Sequence, residues 1–317
     1  MIDWPIDEPP SAAESVGPDS AADGASTGAD EPGPTAAESL ADIAAILAER
    51  GIAVLTGAGL STESGIPDYR GATGSLRRHT PMTYQEFVSG AAGRQRYWAR
   101  SHLGWRTITG ARPNPGHRAV AALEAAGYVS GVITQNVDGL HRAAGSADAI
   151  ELHGGLDRVI CITCGTLSTR EELDRRLHAA NPSFQESIAN ARVNPDGDVE
   201  LDDSLVAGFR IASCEACGTG ILKPDVVFFG ENVPKPRVQR CYELIDRSRG
   251  LLVLGSSLTV MSGLRFVRYA AKAYLPVAII NQGETRGDAQ AAVRADLPLG
   301  PALTRLAADF GLSVTPA

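Results

Sequence analysis

Two cysteine pairs, Cys161/Cys164 and Cys214/Cys217, constrain this chain more than any other feature. Two residues separate the members of each pair, which points two thiolates at one centre, and two such hooks together make a tetrahedral zinc site of four sulfurs. A fold that satisfies them must bring segments far apart in sequence to one point. A pair of disulfides is the alternative, and it fits poorly with an intracellular chain. Four thiolates leave no coordination position for water, so the metal is expected to be structural. The long separation implies an insertion between the hooks, with a charged helix over Arg170–Ala180 and a turn within 194–201 (NPDGDVEL). The fifth cysteine, Cys241, falls on one helical face with Val238 and Ile245 after Pro236, and reads as a buried apolar residue.

The remainder alternates strand and helix signals. Thr35 and Glu38 have capping-box spacing, Leu40, Ile43, Ala44 and Leu47 share a helical face, and Gly51 stops it. Segment 52–70 (IAVLTGAGLSTESGIPDYR) then runs from an apolar β-branched strand into Gly57 and Gly59, as a buried parallel strand feeds a phosphate-binding turn. Bare glycines there let main-chain N–H groups approach a pyrophosphate. The third glycine of a GxGxxG pattern is absent, Thr62 standing in its place, so strand and turn alone are a weak signal. Ile66, Pro67, Asp68, Tyr69 and Arg70 add unusual chemistry to a proline-containing loop.

A mixed helical stretch follows to Trp105, and Asn114-Pro115 reads as an N-cap and first helical residue, with Gly127 as the stop. Strand Val129–Thr134 exits into Gln135, Asn136 and Asp138; a second, 149–152, exits into His153. Segment 223–231 (KPDVVFFGE) is extended and apolar, Leu251–Leu254 leads to Gly255-Ser256-Ser257, and Val277–Ile280 leads to Asn281 and Gly283. Small polar residues outside the carboxyl ends of several strands mark the ligand edge of an open α/β sheet. A last helix is expected from about Pro301 to Gly311.

At 317 residues and 44% hydrophobic content the chain can bury a sizeable core. The net charge of -8 is uneven: residues 1–36 hold Asp3, Asp7, Glu8, Glu14, Asp19, Asp23, Asp30 and Glu31 but no Lys or Arg, and the rest is neutral overall. A Pro, Gly, Ala and Ser-rich acidic tail cannot bury enough surface to order itself. A neutral globular part argues against bulk attraction to nucleic acid, and no apolar run reaches the roughly 18 residues of a membrane helix. The tail lacks the basic start and apolar centre of a signal peptide, so the cytoplasm is the expected compartment.

GAGLSTESGIPDYRG resembles the cofactor loop of the sirtuins, the NAD-dependent protein lysine deacylases, and its STESGIPDYR wording resembles their class II members. TQNVDGLH, ELHGG, the segment 223–231 and GSSLTV follow in family order, and the similarity covers roughly 37–315. It implies a Rossmann-like parallel sheet domain made from both chain halves, with an inserted smaller zinc-binding module at approximately 155–225. NAD and an acyl-lysine protein substrate are expected to meet between them. By resemblance His153 is the general base, with Asn136 and Asp138 on the nicotinamide carboxamide. Gly57, Ala58, Gly59, Ser61, Glu63, Ile66, Pro67, Asp68, Tyr69, Arg70, Gln135, Gly255, Ser256, Ser257, Asn281 and Gly283 would surround the rest of NAD. Val227, Phe228 and Gly230 would hold the substrate. Two departures stand out: Ser256 replaces a Thr, and Tyr69 stands where many sirtuins have Phe. Tyr97 and Arg100 have the YxxR spacing by which some sirtuins bind succinyl or malonyl carboxylates, although RQRYWAR itself resembles class II. The alternatives to deacylation are protein mono-ADP-ribosyl transfer, or a non-catalytic NAD-sensing or zinc-ribbon binding module.

Overall fold

The computed structural model describes residues 35–70, 81–182, 184, 194–199, 201 and 203–314. Apart from Thr35 and Ala36, the expected acidic tail lies outside the described residues.

Helix α1 (Ala36–Ala48) opens on the expected capping box: the Glu38 N–H donates to Thr35 Oγ1 and the Thr35 N–H to the Glu38 carboxylate. Strand β1 (Ile52–Thr56) follows, then a 3-10 turn over Ala58–Ser64, α2 (Tyr84–Ser89), α3 (Ala91–Gly110) and α4 (Pro115–Ala125). Next come β2 (Val129–Thr134), the short α5 (Leu140–Ala143), β3 (Ala149–Glu151), β4 (Gly154–Cys161), β5 (Leu167–Thr169) and α6 (Arg170–Ala180). The chain continues through α7 (Asp203–Ala207), β6 (Leu222–Val226), α8 (Lys235–Asp246), β7 (Leu251–Leu254), α9 (Met261–Lys272), β8 (Val277–Ile280), β9 (Val293–Ala295) and α10 (Leu299–Asp309). The last helix starts before the expected Pro301, because Pro298 serves as its N-cap and Pro301 sits in the first turn, where an N–H has no helical acceptor.

Six strands form a parallel sheet in the order β3-β2-β1-β7-β8-β9. The apolar strand runs are split by the pleat. Ile52, Val54, Leu252, Leu254, Ala278 and Ile280 face one core with residues of α1, α4 and α10, while Ala53, Leu55, Leu251, Val253, Val277 and Ile279 face another with α8 and α9. Burial on both faces explains why these strands read as continuous apolar runs. Cys241 is fully buried in the second core, as expected. The chain leaves β1 toward β2 and β3 on one side, and β7, β8 and β9 lie on the other. The switch point, and hence the ligand crevice, falls beyond the carboxyl ends of β1 and β7.

A three-stranded antiparallel sheet, β5-β4-β6, lies in the expected insertion. Its core is shared with α6 and with α2 and α3, through Phe87, Tyr97, Trp98 and Ile108, so residues well upstream of the first cysteine hook complete this smaller lobe. Arg170, 1% exposed, donates to the Asp174 carboxylate and the Ser101 carbonyl between the rings of Trp98 and Trp105. The turn 194–199 docks on α3: any Cβ at Gly104 would overlap the Gly197 carbonyl oxygen.

Candidate active site

The carboxyl end of β1 meets that of β7 more closely than side chains allow. The Gly57 N–H donates to the Leu254 carbonyl at 3.0 Å and the Gly59 N–H to that of Gly255 at 2.9 Å. A Cβ on Gly57 would stand 2.7 Å from Gly255 O. Both glycines line the cleft, but they are bare because two loops touch. Their N–H groups are spent on protein and do not serve as the expected pyrophosphate donors. Gly57→Ala is therefore expected to part the loops, lowering stability by about 1–3 kcal/mol, the usual cost of overpacking. Thermal unfolding and NAD titration calorimetry, with weaker binding expected, check this.

Behind the loop one polar knot fixes the exit of β2. Ser61 Oγ donates to Asp138 Oδ2 at 2.7 Å, and Asn136 Nδ2 donates to Ser61 Oγ and to the Gly57 carbonyl. The Leu140 N–H donates to Asp138 Oδ1. Burial raises the Asp138 carboxyl above its ordinary range, with these hydrogen bonds opposing the rise. Asn136 and Asp138 thus both meet the loop through Ser61.

His153 follows β3, and its two nitrogens have different partners. Nδ1 is 2.9 Å from the Gln135 carbonyl, which can only accept, so Nδ1 carries the proton. Nε2 then presents a lone pair, 2.8 Å from Ser262 Oγ. Burial lowers the imidazole to about 4, against the opposing pull of the Gln135 hydrogen bond, so the ring is neutral at pH 7 with its Nε2 lone pair unprotonated. Ser262, in the first turn of α9, is a partner that sequence reasoning missed; no local pattern marks it.

A single cavity of about 670 Å³ collects these groups. Of the expected NAD-side residues, Gly57, Ala58, Gly59, Ser61, Ile66, Asp68, Tyr69, Arg70, Gln135, Gly255, Ser256, Ser257, Asn281 and Gly283 line it with His153, Asn136 and Asp138, and so do Val227, Phe228 and Gly230. Glu63 and Pro67 are not in its wall. Glu63 instead accepts the Gly300 N–H at 2.9 Å, capping the amino end of α10, where a carboxylate meets the helix dipole. The wall also holds Tyr97 and, unanticipated, Pro195, Asp196 and Asp198 from the turn 194–199. Arg100, which shares the YxxR spacing with Tyr97, is committed elsewhere: its Nε lies 3.0 Å from Asp198 Oδ1 and 2.6 Å from the Val199 carbonyl.

Two further histidines are buried under the site. His141 Nε2 lies 3.0 Å from Thr56 Oγ1, which donates to Thr134 Oγ1, and the His117 ring centroid is 5.0 Å from that of His141. Burial lowers His117 to about 2 and His141 to about 4. With His153 they stay neutral in the fold while an exposed histidine in the unfolded chain protonates near 6.5. Below pH 6.5 the unfolded state therefore binds more protons, and stability is lost as the pH falls toward about 4. Urea unfolding between pH 7 and 5 is expected to show a loss approaching about 1.4 kcal/mol per pH unit per histidine.

The four hook cysteines meet. Their sulfurs all lie within 4.8 Å of one another, with Cys161–Cys217 and Cys164–Cys214 each at 3.8 Å. A tetrahedron of zinc–sulfur bonds of about 2.3 Å places its sulfurs about 3.8 Å apart. The donor set fits zinc and leaves no open position for catalysis.

Comparison with known proteins agrees with this geometry. The Sir2 family model matches residues 57–262. NAD-dependent protein deacetylase 1 of Streptomyces coelicolor is 61% identical over 281 residues, covering 89% of this chain and 93% of that protein. NAD-dependent protein deacetylase 1 of Mycobacterium avium is 54% identical, covering 80% and 90% respectively. A solved Sir2 complex with a p53 peptide and NAD+ is similar with a TM-score of 0.68 at 30% identity, over 86% of this chain and 98% of that one. The family model spans more than half of the chain and the relatives match most of it: the chain belongs to the Sir2 family.

Proposed function

We propose that this chain is an NAD-dependent protein lysine deacylase. Acyl-lysine, NAD and water become lysine, nicotinamide and O-acyl-ADP-ribose. The observation that carries the reading is His153, whose unprotonated Nε2 lies in the same cavity as the glycine loop and the segment 227–230. Bound NAD supplies an electrophilic ribose carbon and a leaving group. The protein's own residues do the rest. The Asn136–Ser61–Asp138 knot holds the nicotinamide end, and Ser256, Ser257 and Asn281 hold the adenosine half. His153 takes a proton from a ribose hydroxyl through Nε2, its tautomer held by the Gln135 carbonyl. Tyr69, edge-on to Phe229 at 6.1 Å between ring centroids, covers the reacting face and keeps water out. Zinc holds the smaller lobe that carries the substrate segment.

Acyl-lysine proteins are the proposed substrates. Among the described residues no helix is long and apolar enough to cross a membrane. We place the enzyme in the cytoplasm, because cysteines gathered for zinc, with no disulfide among them, fit a reducing compartment. Incubation with NAD labelled in its adenylate phosphate tests the activity. Label in O-acyl-ADP-ribose, dependent on an acyl-lysine peptide, supports deacylation; label fixed on protein would instead favour mono-ADP-ribosyl transfer, and label left in NAD a sensor.

A further inference from the structure

His153 has one nitrogen with which to take a proton, and that nitrogen is already engaged. Nδ1 donates to the Gln135 carbonyl, so the single lone pair left on the neutral ring is that of Nε2, and Ser262 Oγ stands 2.8 Å from it. Only the serine hydroxyl can donate in that pair. A base oriented on one side and bonded to a hydroxyl on the other is the arrangement by which enzymes activate an O–H group. Both residues line the cavity, and each is only partly buried.

The contact is built into the fold. Ser262 is the second residue of α9, and its neighbour Gly263 is bare because this turn of the helix lands on Gln135: a Cβ at Gly263 would stand 2.5 Å from Gln135 Oε1. Gln135 is itself fixed, its Nε2 donating to Ser256 Oγ at 2.8 Å. One residue thus positions both partners, holding the imidazole with its carbonyl and the first turn of α9 with its side chain. A serine hydroxyl has one proton to give and two lone pairs with which to accept. Its proton goes to Nε2, and among the described residues nothing donates to Ser262 Oγ. A sugar hydroxyl entering the cavity finds an acceptor at Ser262, whereas it reaches the Nε2 lone pair directly only by breaking the Ser262 bond.

Resting on the deacylase reading, we propose that Ser262 is a catalytic residue of this site, a proton relay between the ribose hydroxyl and His153. Ser262 Oγ takes the ribose proton as its own proton passes to Nε2. The ribose O–H bond and the old serine O–H bond break, a new serine O–H bond and an Nε2–H bond form, and the electron pair stays on the ribose oxygen for its attack on the acyl carbon. The serine ends neutral, and the imidazolium returns its proton to water. His153 remains the base; Ser262 is the atom through which it reaches the sugar.

The test uses the full chain, with Ser262→Ala and with Ser262→Thr, which keeps the hydroxyl. Without NAD, the His153 ring nitrogens are observed by nitrogen-15 NMR, assigned through their loss in His153→Asn. The Nε2 signal is expected to move in Ser262→Ala, where its donor is gone, and to stay in place in Ser262→Thr. With NAD and an acyl-lysine peptide, Ser262→Ala is expected to lower kcat about 10²-fold, the lower part of the range for a positioned acid–base group. KM should change little, since the relay acts in the transition state. Ser262→Thr should recover most of the turnover. Exchange of labelled nicotinamide into NAD needs no proton removal from the ribose, so it should persist in Ser262→Ala, which also shows that variant folded and loaded. Introduced into His153→Ala, Ser262→Ala should cost little more, because residues that act as a unit are not additive. An unmoved Nε2 signal, a kcat kept or raised in Ser262→Ala, or exchange lost together with deacylation would each overturn the relay alone. A wild type that neither exchanges nicotinamide nor deacylates any acyl-lysine peptide would overturn the deacylase reading beneath it.

Discussion

His153→Ala is expected to lower deacylation turnover by about 10²–10⁴-fold, the usual contribution of a positioned general base. NAD binding and zinc content should stay near wild type, because the imidazole meets the Gln135 carbonyl and Ser262 and touches neither the glycine loop nor the cysteines. The loss should fall on kcat more than on KM, since proton removal matters in the transition state and not in binding. His153→Asn sharpens the test by offering a polar side chain without a basic nitrogen, and it should be as inactive. In the wild type, the imidazole at about 4 places the acid limb of the kcat/KM profile, which reports the free enzyme, well below the 6.5 of an exposed histidine. A variant at this position that retained full turnover would remove His153 from the chemistry.

The second large effect concerns the metal. Cys161→Ser should abolish stoichiometric zinc binding, and with it the smaller lobe. Zinc-finger peptides draw about 10–16 kcal/mol from their metal. A lobe that also has an apolar core depends on it less, but a loss of several kcal/mol is expected here, since Cys161 ends β4 and is buried in the core beside Val159 and Leu222. The Rossmann-like sheet has its own two cores and should keep its helices and strands by circular dichroism. Trp98 and Trp105 pack on Arg170 inside the smaller lobe, so their fluorescence should report its opening. Activity should fall too, because the Val227 N–H donates to the His153 carbonyl and so ties the substrate wall to the base. Metal-free protein with wild-type activity and melting temperature would show that the cysteines do not hold the fold.

Much of the framework was legible in the sequence because it is written locally. The capping box at Thr35, the helix Arg170–Ala180, the four apolar strands of the sheet's centre and the cysteine hooks each depend on residues a few positions apart. The polar residues beyond the strand ends were legible for the same reason: a strand that exits into TQN or GSS declares its ligand edge. What was hidden arises between distant segments. Gly57 is a glycine because of Gly255, Glu63 is acidic because it caps α10, and His153 leans on Ser262 from a helix more than a hundred residues on. Nothing in NPDGDVEL announces that Asp198 will neutralise Arg100, a pairing that changes the meaning of the YxxR spacing. The contribution of α2 and α3 to the zinc-bearing lobe was likewise not local, since it follows from Phe87 and Tyr97 finding Phe228.

The measurement that bears most directly on the function is a product balance by mass spectrometry, after incubation of the purified protein with NAD and an acyl-lysine peptide. Deacylated peptide, nicotinamide and O-acyl-ADP-ribose are expected in equal amounts. Deacylated peptide accompanied by free carboxylic acid and unconsumed NAD, or NAD consumed with the acyl group still on lysine, would contradict the proposed chemistry.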